Sequence, residues 1–268
     1  MSKTYAEQLA LAARATEPAI RQAIAAAGLG KNSRGLDAGC GIGTHAIWIC
    51  EATGGKVTGL DINPDNLAAA GERVERKSLG DRIDFVEGSL LDLPFEKDAF
   101  DWAWSCDTFW PVVVADPVAV LQDLARVVRP GGTVAVLFWT NQLFFPGYPL
   151  FEARWNQAFV SSTHYFKFGQ PGQHHLRALG WLRQAGLENP GAQSFLAEFQ
   201  QPLDDRMRES LTFCFEMFHD SLESGLSKED QAEYQRLCTP GSKDFILDNP
   251  DYYCNLSYTL FSARVPGK

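Results

Sequence analysis

The chain has 268 residues, of which 45% are hydrophobic and 21% are charged. These values are typical of a soluble globular protein and argue against disordered, collagenous and coiled-coil classes. Thirty-three acidic residues against 24 basic ones give a net charge of −9, which disfavours binding to the phosphate backbone of a nucleic acid. We therefore expect no nucleic-acid partner.

The sequence contains no apolar run close to the ~20 residues that a membrane-spanning helix needs. Its first residues also lack the basic-then-apolar order of a signal peptide. We therefore expect a cytoplasmic protein with no membrane partner. The six cysteines form no CxxC pair, so neither a disulfide framework nor a zinc ribbon is predicted. The oligomeric state is not indicated.

The first predicted element is a helix over residues 1–28, where alanine, leucine and isoleucine recur at helical spacing. Pro18 predicts a break in this helix, because proline removes a helical hydrogen bond. Gly28 and Gly30 predict its end.

Short apolar runs then alternate with helical stretches, in a β-α-β-α-β order over residues 33–88. Two helices are predicted to begin at an N-cap followed by proline, one at Asn63 and one at Asp116. FDWAWS, from residue 100, and TVAVLFW, from residue 133, are predicted as the fourth and fifth strands. The run VAVLF is apolar at every position, which is typical of parallel strands covered on both faces.

Beyond Trp139 the pattern changes. Residues 141–173 hold nine aromatic and only three charged residues, which predicts an aromatic lid. A helix ending at Gly186, a strand SFLAEFQ and a final strand YTLFSARV follow, and residues 203–250 between those strands are predicted to be helical.

These elements predict an α/β fold with a Rossmann-like, mostly parallel seven-stranded sheet, helices on both faces and helical lid insertions. Six divisions are predicted in chain order: an N-terminal helical extension, a cofactor-binding core, the aromatic lid insertion, a core helix with the sixth strand, a second helical insertion, and the last strand with the C-terminus. Their bounds are 1–30, 31–140, 141–173, 174–202, 203–250 and 251–268.

The most informative motif is LDAGCGIGTHA, residues 36–46, which lies between a predicted strand and a predicted helix. Gly39, Gly41 and Gly43 permit positive φ angles and let a ligand approach bare backbone. The dinucleotide fingerprint GxGxxG needs its third glycine at position 44, where this chain has threonine. The spacing therefore argues against NAD.

An acid, Asp61, ends the second predicted strand, where a carboxylate can accept hydrogen bonds from both hydroxyls of a ribose. Further landmarks are EGSLLDLPF at residues 87–95, WSCDTFW at 104–110 and RVVRPGG at 126–132, the last predicted as the turn before the fifth strand. With the glycine motif, they make residues 30–140 resemble the class I S-adenosylmethionine-dependent methyltransferases, in particular their small-molecule group.

The resemblance implies S-adenosylmethionine as cofactor and S-adenosylhomocysteine as product. The glycine loop would hold the methionine end, Asp37 would help orient its amino group, and Asp61 would bind the ribose. Ile62 would lie against the adenine face, and Ser89, which replaces the usual aspartate, would meet the adenine amino group with the backbone of Leu90. The residues expected to contact the cofactor are Asp37, Gly39, Gly41, Gly43, Asp61, Ile62, Ser89, Leu90, Ser105 and Cys106.

Two residues are predicted as catalytic. Asp107 follows the fourth strand at the edge of the sheet where open α/β folds bind ligands, although a solvated loop acid is the alternative. His164 lies in the predicted lid and is the candidate general base, which the reaction needs only for a hydroxyl or an acidic carbon acceptor. His45 is expected to be a partly exposed surface histidine, and His174 and His175 are expected to open a helix.

Two groups of residues have structural alternatives to a functional role. Cys214, Cys238 and Cys254 could gather a soft metal, but their sequence separations show no ligand-pair spacing, so buried structural cysteines and no metal are predicted. Most lid aromatics are expected to form the core of an inserted subdomain, and a few could face a substrate.

The expected activity is methylation of a small, largely apolar or aromatic metabolite at oxygen, nitrogen or carbon. Three alternatives stay open: S-adenosylmethionine-dependent chemistry other than methylation, a nonenzymatic binding module, and methylation of a protein or an RNA. The net charge disfavours RNA, and the apolar lid favours a closed pocket over an open groove.

Overall fold

The computed structural model describes residues 4–162, 171–222 and 225–267. The chain divides into two compact units. The sheet unit comprises Ile20–Thr140, Gln170–Phe195 and Tyr258–Lys268. The aromatic unit comprises Met1–Ala19, Asn141–Gly169 and Leu196–Ser257. All ten residues expected to contact the cofactor fall within the sheet unit.

Seven strands form one sheet, and their bounds are β1 (Arg34–Ala38), β2 (Lys56–Asp61), β3 (Ile83–Glu87), β4 (Phe100–Cys106), β5 (Val128–Leu143), β6 (Glu188–Gln200) and β7 (Tyr253–Arg264). Their order across the sheet is β3-β2-β1-β4-β5-β7-β6. The helices are α1 (Tyr5–Ala26), α2 (Thr44–Thr53), α3 (Pro64–Arg76), α4 (Pro117–Val127), α5 (Pro149–Ser162), α6 (Ala178–Gln184), α7 (Asp205–Leu222) and α8 (Lys228–Cys238). Short 3₁₀ turns lie at Pro171–Gln173, His175–Arg177 and Ile246–Asp248.

The first five strands pair in parallel, with β1 between β2 and β4, β3 beside β2, and β5 beside β4. The last strand runs the other way. Gly131 donates its N–H to the carbonyl of Val265, whereas Thr140 contacts Thr259. The two strands β5 and β7 are therefore antiparallel. The sheet is therefore mostly parallel and α/β, as predicted, and the carboxyl ends of β1, β2 and β4 lie at one edge.

The buried strands and the helix caps follow the sequence closely. Residues 134–138 of β5 are completely buried, as expected for a strand covered on both faces. The Asn63 side chain accepts the N–H of Asp65 at 2.9 Å, and Asp116 accepts the N–H groups of Val118 and Ala119. Both predicted N-caps are confirmed.

The predicted break at Pro18 is wrong, because α1 continues through the proline. Proline removes one hydrogen bond from a helix interior. The surrounding side chains Ala15, Ala19 and Ile20 are at most 1% exposed, and burial of this apolar stripe outweighs the local loss. The helix ends at Ala26, before Gly28 and Gly30, which both have positive φ.

The RVVRPGG motif is not simply a turn before the fifth strand, because β5 begins inside it at Val128. Phe100 pairs with Val128 and Trp102 pairs with Thr133, so residues 129–132 bulge opposite the single residue Asp101. The motif is therefore a wide irregularity within β5, and the prediction of a turn before that strand is corrected.

The aromatic unit has a core of its own. Aromatic side chains from the 144–159 segment, from α7 and from α8 are buried against one another at ring distances of 4.8 to 6.4 Å. We call this set the aromatic cluster, and its members are Phe144, Phe145, Phe151, Trp155, Phe159, Phe215, Phe218 and Tyr234. The expected packing of lid aromatics into a core is therefore found, while Tyr165, Phe166 and Phe168 lie outside the described residues.

In the part of the chain that the structure describes, no helix has both the length and the apolar character needed to cross a membrane.

Candidate active site

The glycine loop joins β1 to α2 through three left-handed residues. Gly39, Gly41 and Gly43 have φ angles of 81°, 52° and 71°, a region that residues with a Cβ rarely adopt. A Cβ on Gly39 would lie 2.6 Å from the Thr108 side chain, whereas among the described residues nothing lies within 4 Å of a Cβ on Gly41. The loop thus packs tightly at its start and has open space beside its middle glycine.

Asp61, at the end of β2, holds this loop in place. Its Oδ2 accepts the N–H of Gly41 at 2.8 Å, and its Oδ1 accepts the N–H of Asn63 at 2.9 Å and the Asn66 amide at 3.3 Å. A carboxylate offers about four acceptor positions. Asp61 therefore shapes the glycine loop and still has acceptor capacity for a ligand hydroxyl.

Asp37 has an unusual environment in the middle of the sheet. It lies on β1 between Gly59 of β2 and Trp104 of β4, and it is completely buried. Neither of its carboxylate oxygens has a hydrogen-bond partner among the described residues.

Burial raises the pKa of Asp37 from 3.8 to about 7, and the charge of Asp61 adds to the rise; the N–H of Ala46 opposes it without forming a regular hydrogen bond. A buried carboxyl group without a partner costs stability. Such a group is best satisfied by a ligand that brings a donor or a positive charge, and the predicted methionine-end ammonium of S-adenosylmethionine fits this requirement.

The last two residues of β4 lie next to the glycine loop. Ser105 is buried and donates its hydroxyl to the carbonyl of Ala38 at 2.7 Å. Cys106 is also buried, with its Sγ 3.7 Å from Oδ2 of Asp107, and burial raises its pKa well above the usual range. The structure therefore brings both predicted neighbours to the end of β1.

Asp107 is half-buried and held by groups from β5 and β7. Its Oδ1 accepts the backbone N–H of Trp139 at 2.8 Å, and its carboxylate hydrogen-bonds with the hydroxyl of Tyr258. The φ angle of Asp107 is positive, at 51°. Burial raises its pKa to about 6, against these hydrogen bonds. The alternative of a solvated loop acid does not fit this environment.

The residues predicted to contact adenine lie after β2 and β3. Ile62 is 71% exposed, which is a large apolar area for a surface residue. The Ser89 hydroxyl oxygen accepts the N–H of Leu91 at 3.1 Å, and Leu90 is buried. The Ser89 oxygen therefore closes a local turn, which leaves its O–H hydrogen available as a donor.

His45, His174 and His175 each contact other residues of the chain. His45 is half-buried beside Trp48, and burial lowers its pKa to about 4. His174 accepts the N–H of Leu176 at 3.2 Å and caps the turn before α6, which confirms the expected helix opening. His175 is buried near Trp110 and Phe138. His164 lies outside the described residues, so its catalytic role stays a prediction.

All six cysteines are buried, which agrees with the structural interpretation of Cys214, Cys238 and Cys254. Within the described ranges, no group of three or more histidine, cysteine or acidic side chains could hold a metal ion. A cleft of about 730 Å³ lies in the aromatic unit beside the Arg154–Asp230 ion pair. None of the predicted site residues that the structure describes lines this cleft.

Three contributors to the site were missed by the sequence analysis. Asn66 binds Asp61 from the first turn of α3, and its position three residues after the N-cap Asn63 is a signal that could have indicated it. Thr108 packs on Gly39, and Tyr258 reaches Asp107 from the last strand. The last two contacts join distant parts of the sequence, so no local pattern announces them.

Comparison with known proteins extends these observations. Residues 36–132 match a family model described as a methyltransferase domain. Methyltransferase GfsG of Streptomyces halstedii is 36% identical over 101 residues, which are 38% of this chain and 36% of that protein, so this chain spans about a third of that relative. A demethylmenaquinone methyltransferase of Lysinibacillus sphaericus is 32% identical over 176 residues, which are 63% of this chain and 68% of the relative.

Among solved structures, a methyltransferase candidate from Bacillus halodurans aligns with a TM-score of 0.56 and 18% identity, covering 92% of this chain and 98% of that chain. At this identity the likeness concerns the fold alone. The sheet order, the glycine loop and its two acids define a Rossmann-like methyltransferase fold. With the sequence matches, the chain belongs to the class I S-adenosylmethionine-dependent methyltransferase family.

Proposed function

We propose that this chain transfers a methyl group from S-adenosylmethionine to a small, largely apolar or aromatic metabolite. The observation that carries the proposal is the buried carboxyl group of Asp37, whose oxygens have no partner among the described residues. An ammonium group satisfies such a carboxylate, because a buried charge is stable only when it is paired and hydrogen-bonded. The amino group of S-adenosylmethionine is a donor of this kind.

The neighbouring residues have complementary roles in this proposal. The open space beside Gly41 leaves loop backbone accessible to the methionine end of the cofactor. The remaining acceptor capacity of Asp61 suits a ribose hydroxyl, and the exposed side chain of Ile62 offers an apolar surface for adenine. The Ser89 hydroxyl and the backbone of Leu90 would contact the adenine edge.

When bound, S-adenosylmethionine supplies a methyl group on a positively charged sulfur. The chain itself must align the acceptor with that methyl group and exclude water. We place the acceptor beside Ser105, Cys106 and Asp107, because this segment lies at the end of the strand next to β1, at the carboxyl edge of the sheet. The Lysinibacillus sphaericus relative is named for a quinone acceptor, which supports an apolar aromatic acceptor here.

Calorimetric titration with S-adenosylmethionine, S-adenosylhomocysteine and NAD in parallel tests the cofactor. We expect the first two to bind and NAD not to bind. Asp61→Asn should weaken binding by on the order of 1.5–3 kcal/mol, the typical strength of hydrogen bonds to a charged group. Asp84→Asn, an exposed acid on β3, is the matched control and should bind as the wild type does.

Acceptors are then screened by formation of S-adenosylhomocysteine, with naphthols, phenols, aliphatic alcohols and amines as the panel. Stoichiometric S-adenosylhomocysteine and a methylated product support the proposal. Conversion of an acceptor without S-adenosylhomocysteine would favour the alternative of other S-adenosylmethionine-dependent chemistry. Absence of cofactor binding would overturn the function and leave the fold standing.

A further inference from the structure

The segment that follows β4 lies against the glycine loop. A Cβ on Gly39 would lie 2.6 Å from both Oγ1 and Cγ2 of Thr108, so the backbone of the loop and the residue after Asp107 are in direct contact. The thiol of Cys106 is influenced by the charges of both Asp107 and Asp37. Asp107 is therefore a second carboxylate beside the proposed cofactor site.

The backbone around Asp107 is fixed. Its N–H donates to the carbonyl of Leu137 at 2.9 Å, and the Thr108 hydroxyl donates to the carbonyl of Cys106 at 2.9 Å. The Asp107 carboxylate is held by the Trp139 N–H at 2.8 Å and by the Tyr258 hydroxyl. The rings of Trp139 and Tyr258 are 6.0 Å apart, so one carboxylate joins the end of β4 to β5 and β7.

We infer that Asp107 is the proton acceptor of the methyl-transfer reaction, that Tyr258 positions its carboxylate, and that the methyl acceptor is an acidic group, a hydroxyl or an acidic C–H. This inference rests on the proposed function, which it sharpens by naming the chemical class of the acceptor. A positioned carboxylate beside the cofactor site can remove a proton from a nucleophile as it attacks.

The atoms of the step balance. As the acceptor oxygen or carbon attacks the methyl carbon, its O–H or C–H bond breaks and Asp107 takes the proton. The new bond to the methyl carbon forms while the sulfur–carbon bond breaks, and the sulfur keeps that electron pair as the neutral sulfide of S-adenosylhomocysteine. Asp107 then releases the proton to water before the next turnover.

The groups that face Asp107 set its basicity. The Cys106 thiol comes from β4, the Trp139 N–H comes from β5, and the Tyr258 hydroxyl comes from β7. Burial raises the pKa of Asp107 to about 6, and hydrogen bonds from these three groups oppose that rise. A general base works best when its pKa is near the operating pH, so Asp107 is mostly ionised at pH 7 and still basic enough to hold a proton.

The alternative to the proton-acceptor role is a purely structural one, in which the Asp107 carboxylate only joins three strands. Asp107→Asn separates the two roles, because the amide oxygen still accepts the Trp139 N–H but cannot take a proton. Asparagine also tolerates positive φ better than most residues, so the backbone at 51° is not strained by the change. The matched control is Asp98→Asn, an exposed acid that also has a positive φ of 61°.

The experiment uses the full chain labelled with ¹³C at the aspartate carboxyl carbon. Comparison with Asp107→Asn assigns the Asp107 resonance, and its chemical shift is followed against pH. We expect a midpoint near 6. Tyr258→Phe should raise that midpoint, because it removes a hydrogen bond that favours the ionised form. This readout needs no methyl acceptor.

Turnover with the best acceptor from the screen is the second readout. Asp107→Asn should lower kcat by roughly 100- to 10,000-fold, the usual contribution of a general base, and should remove the acidic limb of the pH profile. Tyr258→Phe should shift that limb to higher pH and recover activity above it. Asp98→Asn should retain the wild-type profile.

The outcomes separate the two proposals. If the wild type forms S-adenosylhomocysteine and Asp107→Asn retains full turnover at every pH, the proton-acceptor role is wrong and methyl transfer stands. An Asp107 midpoint that Tyr258→Phe leaves unchanged rules out the positioning role. If the wild type forms no S-adenosylhomocysteine with any acceptor, the proposed function fails and the proton-acceptor role fails with it.

Discussion

Two buried carboxyl groups, one in each unit, have opposite environments. Asp37 in the sheet unit is completely buried, and its oxygens have no hydrogen-bond partner among the described residues. Glu152 in the aromatic unit is 7% exposed and accepts the N–H groups of Phe144 and Phe145 at 2.7 to 3.1 Å. Burial raises the pKa of both groups, but of the two only Glu152 accepts regular hydrogen bonds from backbone N–H groups.

The difference indicates what each group does. A buried carboxylate that is satisfied within the chain stabilises a local structure, because its partners fix the backbone around it. A buried carboxylate without hydrogen-bond partners lowers the stability of the fold. A protein retains such a group only where another interaction compensates for the lost stability. We therefore assign Glu152 to the folding of the aromatic unit and Asp37 to a ligand.

The largest expected effect on stability lies in the aromatic cluster. Phe144 is completely buried and contacts Phe145, Trp155 and Phe215. Phe144→Ala should lower the free energy of unfolding by about 3–5 kcal/mol, as expected for removal of a buried aromatic ring, with no weakening of cofactor affinity at a temperature where the variant is folded. Leu150→Ala, at a residue that is 74% exposed, is the control and should have little effect.

Urea unfolding and calorimetry measure the two quantities. A loss of cofactor affinity in folded Phe144→Ala would contradict the assignment of the aromatic unit to folding and of the carboxyl group in the sheet unit to ligand binding. In that case the aromatic cluster would have to be included in the description of the site.

The second prediction concerns Asp37. The pKa of this carboxyl group rises from 3.8 in the unfolded chain to about 7 in the folded one, so the folded state keeps its proton to higher pH. Stability is therefore unaffected below about pH 4 and falls as pH rises from about 4 to about 7. Asp37→Asn should remove this fall, with a gain on the order of 4 kcal/mol at pH 8 from the differential ionisation, while cofactor affinity decreases.

The measurement is the free energy of unfolding at pH 5 and pH 8, without cofactor. The gain in Asp37→Asn should be larger at pH 8 than at pH 5. Equal stability of the variant and the wild type at pH 8 would show that Asp37 is compensated within the folded chain, and the argument for an ammonium ligand would then fail.

Local patterns made much of the fold and part of the site predictable. The alternation of apolar runs and helical stretches locates the strands, and Asn63 and Asp116 mark helix starts because an N-cap bonds only two or three residues away. The glycine spacing locates the loop for a similar reason, since a left-handed backbone conformation favours glycine.

The remaining features depend on contacts that are distant in sequence. Pro18 lies within a continuous helix because burial of its neighbours outweighs its local preference, which a pattern over a few residues does not contain. Tyr258 meets Asp107 only because β7 enters the sheet beside β5. Thr108 meets Gly39 because β1 and β4 are neighbours, and the sequence order of the strands does not reveal that.

Glu152 provides the third prediction. Glu152→Gln keeps one carbonyl oxygen as an acceptor and removes the charge, so one of the two backbone N–H groups loses its best partner. We expect the free energy of unfolding to fall by about 1–3 kcal/mol, the cost of a weakened or lost buried hydrogen bond. Cofactor affinity should be unchanged, which is the opposite of the result expected for Asp37→Asn. A variant that loses affinity without losing stability would reverse the assignment of the two carboxyl groups.

The smallest expected effect is at Ser89, where the two kinds of role meet in one side chain. Its oxygen accepts the N–H of Leu91 at 3.1 Å, and its O–H hydrogen is available to donate toward the proposed adenine site. Ser89→Ala should weaken S-adenosylmethionine binding by about 0.5–1.5 kcal/mol, the typical net value of one hydrogen bond. Ser89→Thr keeps the hydroxyl and should bind close to the wild type. If alanine lowers thermal stability and leaves affinity unchanged in calorimetry, the Ser89 hydroxyl stabilises only the turn, as Glu152 stabilises its own segment.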